Sequence, residues 1–241
     1  STYNDSRIKI ITNYEQLGLT KSLNRGIKES KGKYIARMDA DDISSPERFQ
    51  TQIDYLQLNK EIGCVGTAIK NIDESGEELN TTKVYSGWHA VHFMCHGSLM
   101  FVKNTLKEIG GYREFFKYSQ DYDLLLRIRE VSLISNLEEP LYRLRIHNNS
   151  ISALKNTDQL LFASIALDMA KERKKFGKDR LQDCDITVQN ILLSERLDLK
   201  GIKLRILLSK LYCKWGSVSY QLNKINKAIY YAKHSLIHNP L

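Results

Sequence analysis

Apolar residues recur every fourth position at Leu19, Leu23 and Ile27, which predicts an amphipathic helix from about Thr20 to Lys31, ended by Gly32. A short strand candidate, Arg7–Ile11, precedes it, and a second strand, Tyr34–Met38, follows and stops at Asp39, Asp41 and Asp42. Phe49, Ile53 and Leu56 mark another helix, roughly Pro46 to Asn59. Its start reads either as Ser45 capping with Pro46 at the first helical position, or as Ser44 capping with Glu47 closing a capping box. Ile62–Ile69 is strand-like, and Asn71 to Gly76 is rich in turn formers. This alternation of strand and helix predicts an α/β domain with a mostly parallel sheet. In such sheets ligands bind beyond the carboxyl ends of the strands, where Asp39, Asp41 and Asp42 would lie.

The pattern is weak from Thr82 to His92 and resumes with a strand at Ser98–Val102 and a helix at Lys103–Ile109, ended by Gly110-Gly111. Ser119 to Asp123 opens a helix carrying Leu124, Leu125 and Ile128; Leu133–Leu137 and Leu141–Ile146 are the last strands. Beyond them the texture is helical, over Leu160–Ala170, Ile186–Glu195, Ile202–Cys213 and Lys224–Ile237. Charge changes at the same place. Residues 1–152 hold 20 Lys and Arg against 20 Asp and Glu, so the net +8 of the 241-residue chain resides in residues 153–241. We therefore expect two parts, a domain over 1–152 and a basic helical region over 153–241.

No apolar run is long enough for a membrane span, and the first residues lack a basic-then-apolar signal pattern. Cys64, Cys95, Cys184 and Cys213 are scattered, which predicts buried thiols in a reducing cytosol. The lysines and arginines of the tail form no nucleic-acid-binding motif, so no nucleic-acid partner is expected.

The chemistry concentrates in Asp39-Ala40-Asp41-Asp42. Three carboxylates within four positions repel one another, and a divalent cation among them relieves that repulsion. In an extended segment Asp39 and Asp41 share a side, which suits Mg2+ or Mn2+ with waters or phosphates in the remaining positions. The other reading is a solvated acidic turn before the next helix.

The motifs decide between these readings as a set. Asn24-Arg25-Gly26-Ile27, Gly32-Lys33-Tyr34-Ile35 and Met38-Asp39-Ala40-Asp41-Asp42 are followed by His96-Gly97-Ser98 and Gly110-Gly111-Tyr112. Gln120-Asp121-Tyr122-Asp123, Tyr142-Arg143 and His147 complete the order. In this the chain resembles family 2 glycosyltransferases, inverting enzymes of the GT-A fold, over residues 1 to about 152. It resembles them from the end of their second strand onward, so the family's first strand and helix are expected to be absent from it.

The resemblance implies transfer of a sugar from a nucleotide-diphosphate donor to a hydroxyl of a cell-surface glycan. It implies Asp41 as ligand of Mn2+ or Mg2+, Asp39 on ribose or metal, and His147 as a third metal or diphosphate contact. Asp121 would be the base that deprotonates the acceptor, with Gln120 standing where the family usually has Glu. Asn13 and Arg143 would approach the nucleotide and its phosphates, while His96 and Asp42 lie in acceptor-side or supporting positions. Arg37 reads as an ion-pair partner for Asp39. The expected partners are a nucleotide sugar and a glycan or lipid-linked acceptor. The expected location is the cytoplasm, with the basic tail meeting the inner face of an anionic membrane. Two rivals remain: a nucleotidyltransferase making an activated sugar, and an inactive shortened transferase serving in assembly.

Overall fold

In chain order the elements begin with α1 (Leu19–Glu29), β1 (Tyr34–Ala36), β2 (Ile43–Ser44), α2 (Arg48–Leu58), β3 (Ile62–Ile72) and β4 (Glu78–Thr81). They continue with β5 (Met100–Val102), α3 (Lys103–Glu108), α4 (Gln120–Val131), β6 (Leu133–Arg145) and α5 (Asn156–Phe176). The structure, a computed structural model, describes residues 5–81, 94–147, 156–179 and 181–182, with Ile225, Ile229, Ala232 and Lys233, which are helical. The segments Thr82–His92, Ile186–Glu195 and Ile202–Cys213 lie outside the described residues.

The strands form one sheet in the order β1-β5-β3-β6-β2, with β4 also on β3. The expectation of a mostly parallel sheet is overturned: β3 and β6 run parallel, and the other four pairings are antiparallel. The reason is topological. β1 and β3 do point the same way, as their intervening helix requires, but β5 arrives later and inserts between them, antiparallel to both. Alternating strand and helix constrains direction; it does not choose neighbours.

β3 is central and almost continuously buried, as a strand covered on both faces must be. Its alternation sorts side chains between two cores. Cys64 and Phe101 face a large cluster with Leu124, Ile128, Phe162 and Met169. Val65 and Met100 face a smaller one with Leu56 and Leu137. Helices α1, α4 and α5 thus cover one face and α2 the other. The large core continues past residue 152, because Leu161, Phe162, Ile165, Ala166 and Met169 of α5 belong to it.

Four local expectations change. Arg7–Ile11 joins no ladder among the described residues, with Ile8 and Ile10 52% and 73% exposed. An apolar run becomes a strand only where a neighbour takes its backbone groups. Neither capping scheme holds for α2: its N-cap is Glu47, with no side-chain cap, because Ile43–Ser44 is drawn into the sheet as β2. Nor does α2 bury Phe49, which is half exposed; it buries Arg48, Gln52 and Leu56. The two last predicted strands are one strand, β6.

Candidate active site

β1 and β2 are the two edges of the main sheet path, so the chain between them, Arg37–Asp42, crosses the end of the sheet. It passes the carboxyl ends of β3 and β6 and the start of β5, where Arg37 N–H bonds the Leu99 carbonyl at 2.9 Å. That crossing brings Asp39, Asp41 and Asp42 to residues a hundred positions away in sequence.

The three carboxylates meet different fates. Both oxygens of Asp39 are taken by the Arg37 guanidinium, whose side chain is 9% exposed. Asp42 is buried: Oδ2 accepts the Tyr142 hydroxyl at 2.6 Å and Oδ1 accepts the Arg145 N–H at 2.8 Å. Burial pushes the Asp42 carboxyl above its usual range, against the lowering effect of those two bonds. Asp41 is the most open of the three, its side chain 49% exposed against 39% for the Arg37-bound Asp39, with Oδ2 3.0 Å from His147 Nε2. Arg145 steadies this turn from outside, donating to the carbonyls of Asp41 (2.8 Å), Asp73 and Glu74 (both 2.9 Å).

Tyr142 is the hub. Its hydroxyl also accepts the Asp39 N–H at 3.1 Å, and a Cβ built at Gly97 would overlap that hydroxyl, so glycine is required for the approach. One turn away His96 Nε2 lies 2.6 Å from the Tyr112 hydroxyl. Burial lowers the His96 pKa to about 4, leaving a neutral imidazole at neutral pH. Asp121, in the first turn of α4, and Arg37 both lie within electrostatic reach of His96 and Tyr112. Among the described residues no side chain hydrogen-bonds the Asp121 carboxylate. Gln120 beside it is buried.

Other sequence candidates sit apart from this turn. Asn13 is held on α1, donating to Ser22 Oγ at 2.9 Å and accepting from Arg25 at 2.7 Å. Arg143 lies 3.5 Å from Glu78 on the half-exposed surface of the β4–β3–β6 ladder. Asp123 is fully buried between Arg113 and Arg127. Arg127 in turn donates to the carbonyls of Ile109 and Gly111, both at 2.7 Å, and Asn24 clasps the Tyr112 backbone from α1. The family-like Asn24 and Gly110-Gly111-Tyr112 are therefore parts of one structural knot. Sequence reading assigned no role to Tyr142, to Arg48 or to the carbonyl contacts of Arg145. For Arg48 the signal was present: Arg48, Gln52 and Leu56 fall on one stripe of α2, an arginine and an amide in line with a core leucine.

Among the described residues no three His, Cys, Asp or Glu side chains converge as a complete metal site. The Asp41–His147 pair nevertheless fits a divalent ion that takes part of its shell from substrate. A carboxylate oxygen and an imidazole nitrogen are adjacent and partly exposed, leaving positions for diphosphate oxygens and water.

Residues 1–118 match the model of Glycosyl transferase family 2. Over this segment, just under half of the 241 residues, the chain is similar to that family. It is 39% identical over 155 residues to the O-antigen biosynthesis glycosyltransferase WbnJ of Escherichia coli, covering 61% of this chain and 60% of that one. An uncharacterized glycosyltransferase of Methanocaldococcus jannaschii is 33% identical over 182 residues, covering 71% of this chain and 62% of its own. One from Haemophilus influenzae is 31% identical over 171 residues, covering 64% and 53%. The chain thus spans between 53% and 62% of the length of these relatives. A solved mannosyltransferase from Pyrobaculum calidifontis, in complex with GDP-Man and Mn2+, is 12% identical over 96% of this chain and 69% of its own, with a TM-score of 0.49.

Proposed function

We propose that this chain carries the donor site of an inverting glycosyltransferase that moves a sugar from a nucleoside diphosphate to a hydroxyl of a surface glycan. The observation that carries the reading is the unequal treatment of the carboxylates: Arg37 occupies Asp39 and burial occupies Asp42, leaving Asp41 beside His147. A divalent ion held by Asp41 and His147 would neutralise the diphosphate as it leaves. Asp39, fixed by Arg37, would meet the ribose, while Asn13 and Arg143, the other residues expected near the nucleotide, sit apart from this turn and would have to be approached by an extended donor. Asp121 takes the proton of the acceptor hydroxyl as its oxygen bonds the anomeric carbon and the bond to the diphosphate breaks. His96, neutral, and Gln120 border that base without adding a second charge to it.

The names of similar proteins support the acceptor class: WbnJ is named for O-antigen biosynthesis and a further relative, AmsE of Erwinia amylovora, for amylovoran biosynthesis. No helix among the described residues is long and apolar enough to cross a membrane. The surplus of positive charge beyond residue 152 supports work at the cytoplasmic face, against anionic lipid carrying the acceptor.

Calorimetric titration with UDP and with GDP, each with and without Mn2+, tests the donor site. Metal-dependent binding of one nucleotide is expected. Asp121→Asn is expected to keep that binding and lose turnover roughly 10²–10⁴-fold. Full turnover in Asp121→Asn would sink the assignment of the base, and absence of nucleotide binding would sink the donor site itself.

A further inference from the structure

Arg48 is an unusual residue to find beneath this turn. It is wholly buried in α2, yet among the described residues none of its hydrogen bonds goes to a carboxylate. Nε donates to Gln52 Oε1 at 3.1 Å, Nη2 donates to the Arg37 carbonyl at 2.8 Å, and Nη1 is buried with no partner. Burying a guanidinium costs several kcal/mol, and an unmet donor adds about 1–3 kcal/mol more. A methionine or leucine would fill the same volume without either cost, so a stability role alone accounts poorly for the residue.

Its contacts point to the carboxylate turn. The guanidinium carbon stacks 4.9 Å from the centre of the Tyr142 ring, a cation–π arrangement in a site closed to water. Tyr142 passes that position on: its hydroxyl receives the Asp39 N–H and donates to Asp42. Arg48 therefore holds the turn at two points, the Arg37 carbonyl before Asp39 and the Tyr142 hydroxyl that fixes Asp39 and Asp42. Asp41 lies between those points. Gln52 locks the guanidinium in turn, with its amide nitrogen on the carbonyls of Val65 (3.0 Å) and Ser98 (2.9 Å).

We infer that Arg48 is a positioning residue for the donor site, acting through the Tyr142 ring and the Arg37 carbonyl to set where Asp41 stands. The inference rests on the donor-site reading above. Lysine keeps the charge but loses the planar fork that stacks and bonds at once. Supporting residues behind a metal ligand typically change affinity roughly 10–100-fold.

The test compares wild type, Arg48→Lys, Tyr142→Phe and the double variant by titration with UDP or GDP plus Mn2+. Thermal melting and amide hydrogen exchange of the segment 37–43 are measured alongside. Each single variant is expected to weaken nucleotide–Mn2+ binding about tenfold while melting cooperatively. The double variant is expected to lose no more than the worse single one, since both lie on one path. Unchanged affinity in Arg48→Lys overturns the inference, as do losses that multiply in the double variant. If Arg48→Lys does not fold, Tyr142→Phe decides, and wild-type affinity there overturns the relay. If wild type binds neither nucleotide, the donor-site reading fails by itself. Exchange in 37–43 then reports the hold on the turn: faster exchange in the variants supports it and equal exchange refutes it.

Discussion

Besides the exposed Asp5–Arg7 pair, aspartate meets arginine in two places among the described residues. At the α4–α5 junction, Asp123 and Asp179 are fully enclosed by Arg113, Arg127 and Arg173, and Glu130 closes the outer side. Burial acts to raise the Asp179 pKa, but the Arg113 and Arg173 guanidiniums outweigh it and hold the carboxyl below its usual range. At the sheet end, three aspartates share Arg37, a tyrosine hydroxyl, backbone N–H groups and one histidine, and Asp41 keeps an exposed face. Both regions set aspartates against arginine, and saturation separates them. A carboxylate with both oxygens bonded inside the protein and no exposed face can only hold the fold, whereas one left half open can take a ligand.

Three measurements would break or sharpen that contrast. The largest effect is expected at the saturated cluster. Asp123→Ala leaves two guanidiniums facing a buried gap and should cost about 3–5 kcal/mol in denaturant unfolding; a loss below about 1 kcal/mol would mean the network is not structural.

Next comes acid. His96 is held neutral in the fold, with its pKa lowered to about 4 by burial, while in the unfolded chain it titrates near 6.5. Between those values the unfolded state binds more protons, so stability falls as pH drops from about 6.5 to 4 and is flat for this group above that window. The loss should be on the order of 2–3 kcal/mol, read as the difference between wild type and His96→Asn melting curves. Identical pH slopes would refute the neutral imidazole.

The smallest change in stability is expected where the chemistry is placed. Asp41→Ala should alter unfolding by less than about 1 kcal/mol, because the Asp41–His147 pair is partly exposed. Metal-dependent nucleotide binding should nevertheless disappear in that variant. A large stability loss, or retained binding, would erase the distinction between the two regions.

Much of this was legible along the chain. Periodicity located α1, α3, α4 and the strands β1, β3 and β5 to within a few residues, because helix and strand faces repeat over short distances. The ordered motifs led to the family whose model residues 1–118 match, and the strand stopping at Asp39-Ala40-Asp41-Asp42 located the turn. Periodicity misled on α2, where Phe49 looked like core and Arg48 did not. It also took Arg7–Ile11 for a strand, since an apolar run carries no record of whether a neighbour exists.

Sequence by itself determined most of the helices and the longer strands, the family resemblance and the place where acidic chemistry gathers. Those are local properties, set by side-chain spacing and by motifs a few residues long. Tertiary structure decided that β5 inserts between β1 and β3, turning an expected parallel sheet into a mostly antiparallel one. It also decided which carboxylate remains open, through partners such as Tyr142 for Asp42 and His147 for Asp41 that lie 100 and 106 positions away. Hydrogen bonds and ion pairs depend on distances of a few ångströms, and only the folded chain brings such distant residues that close.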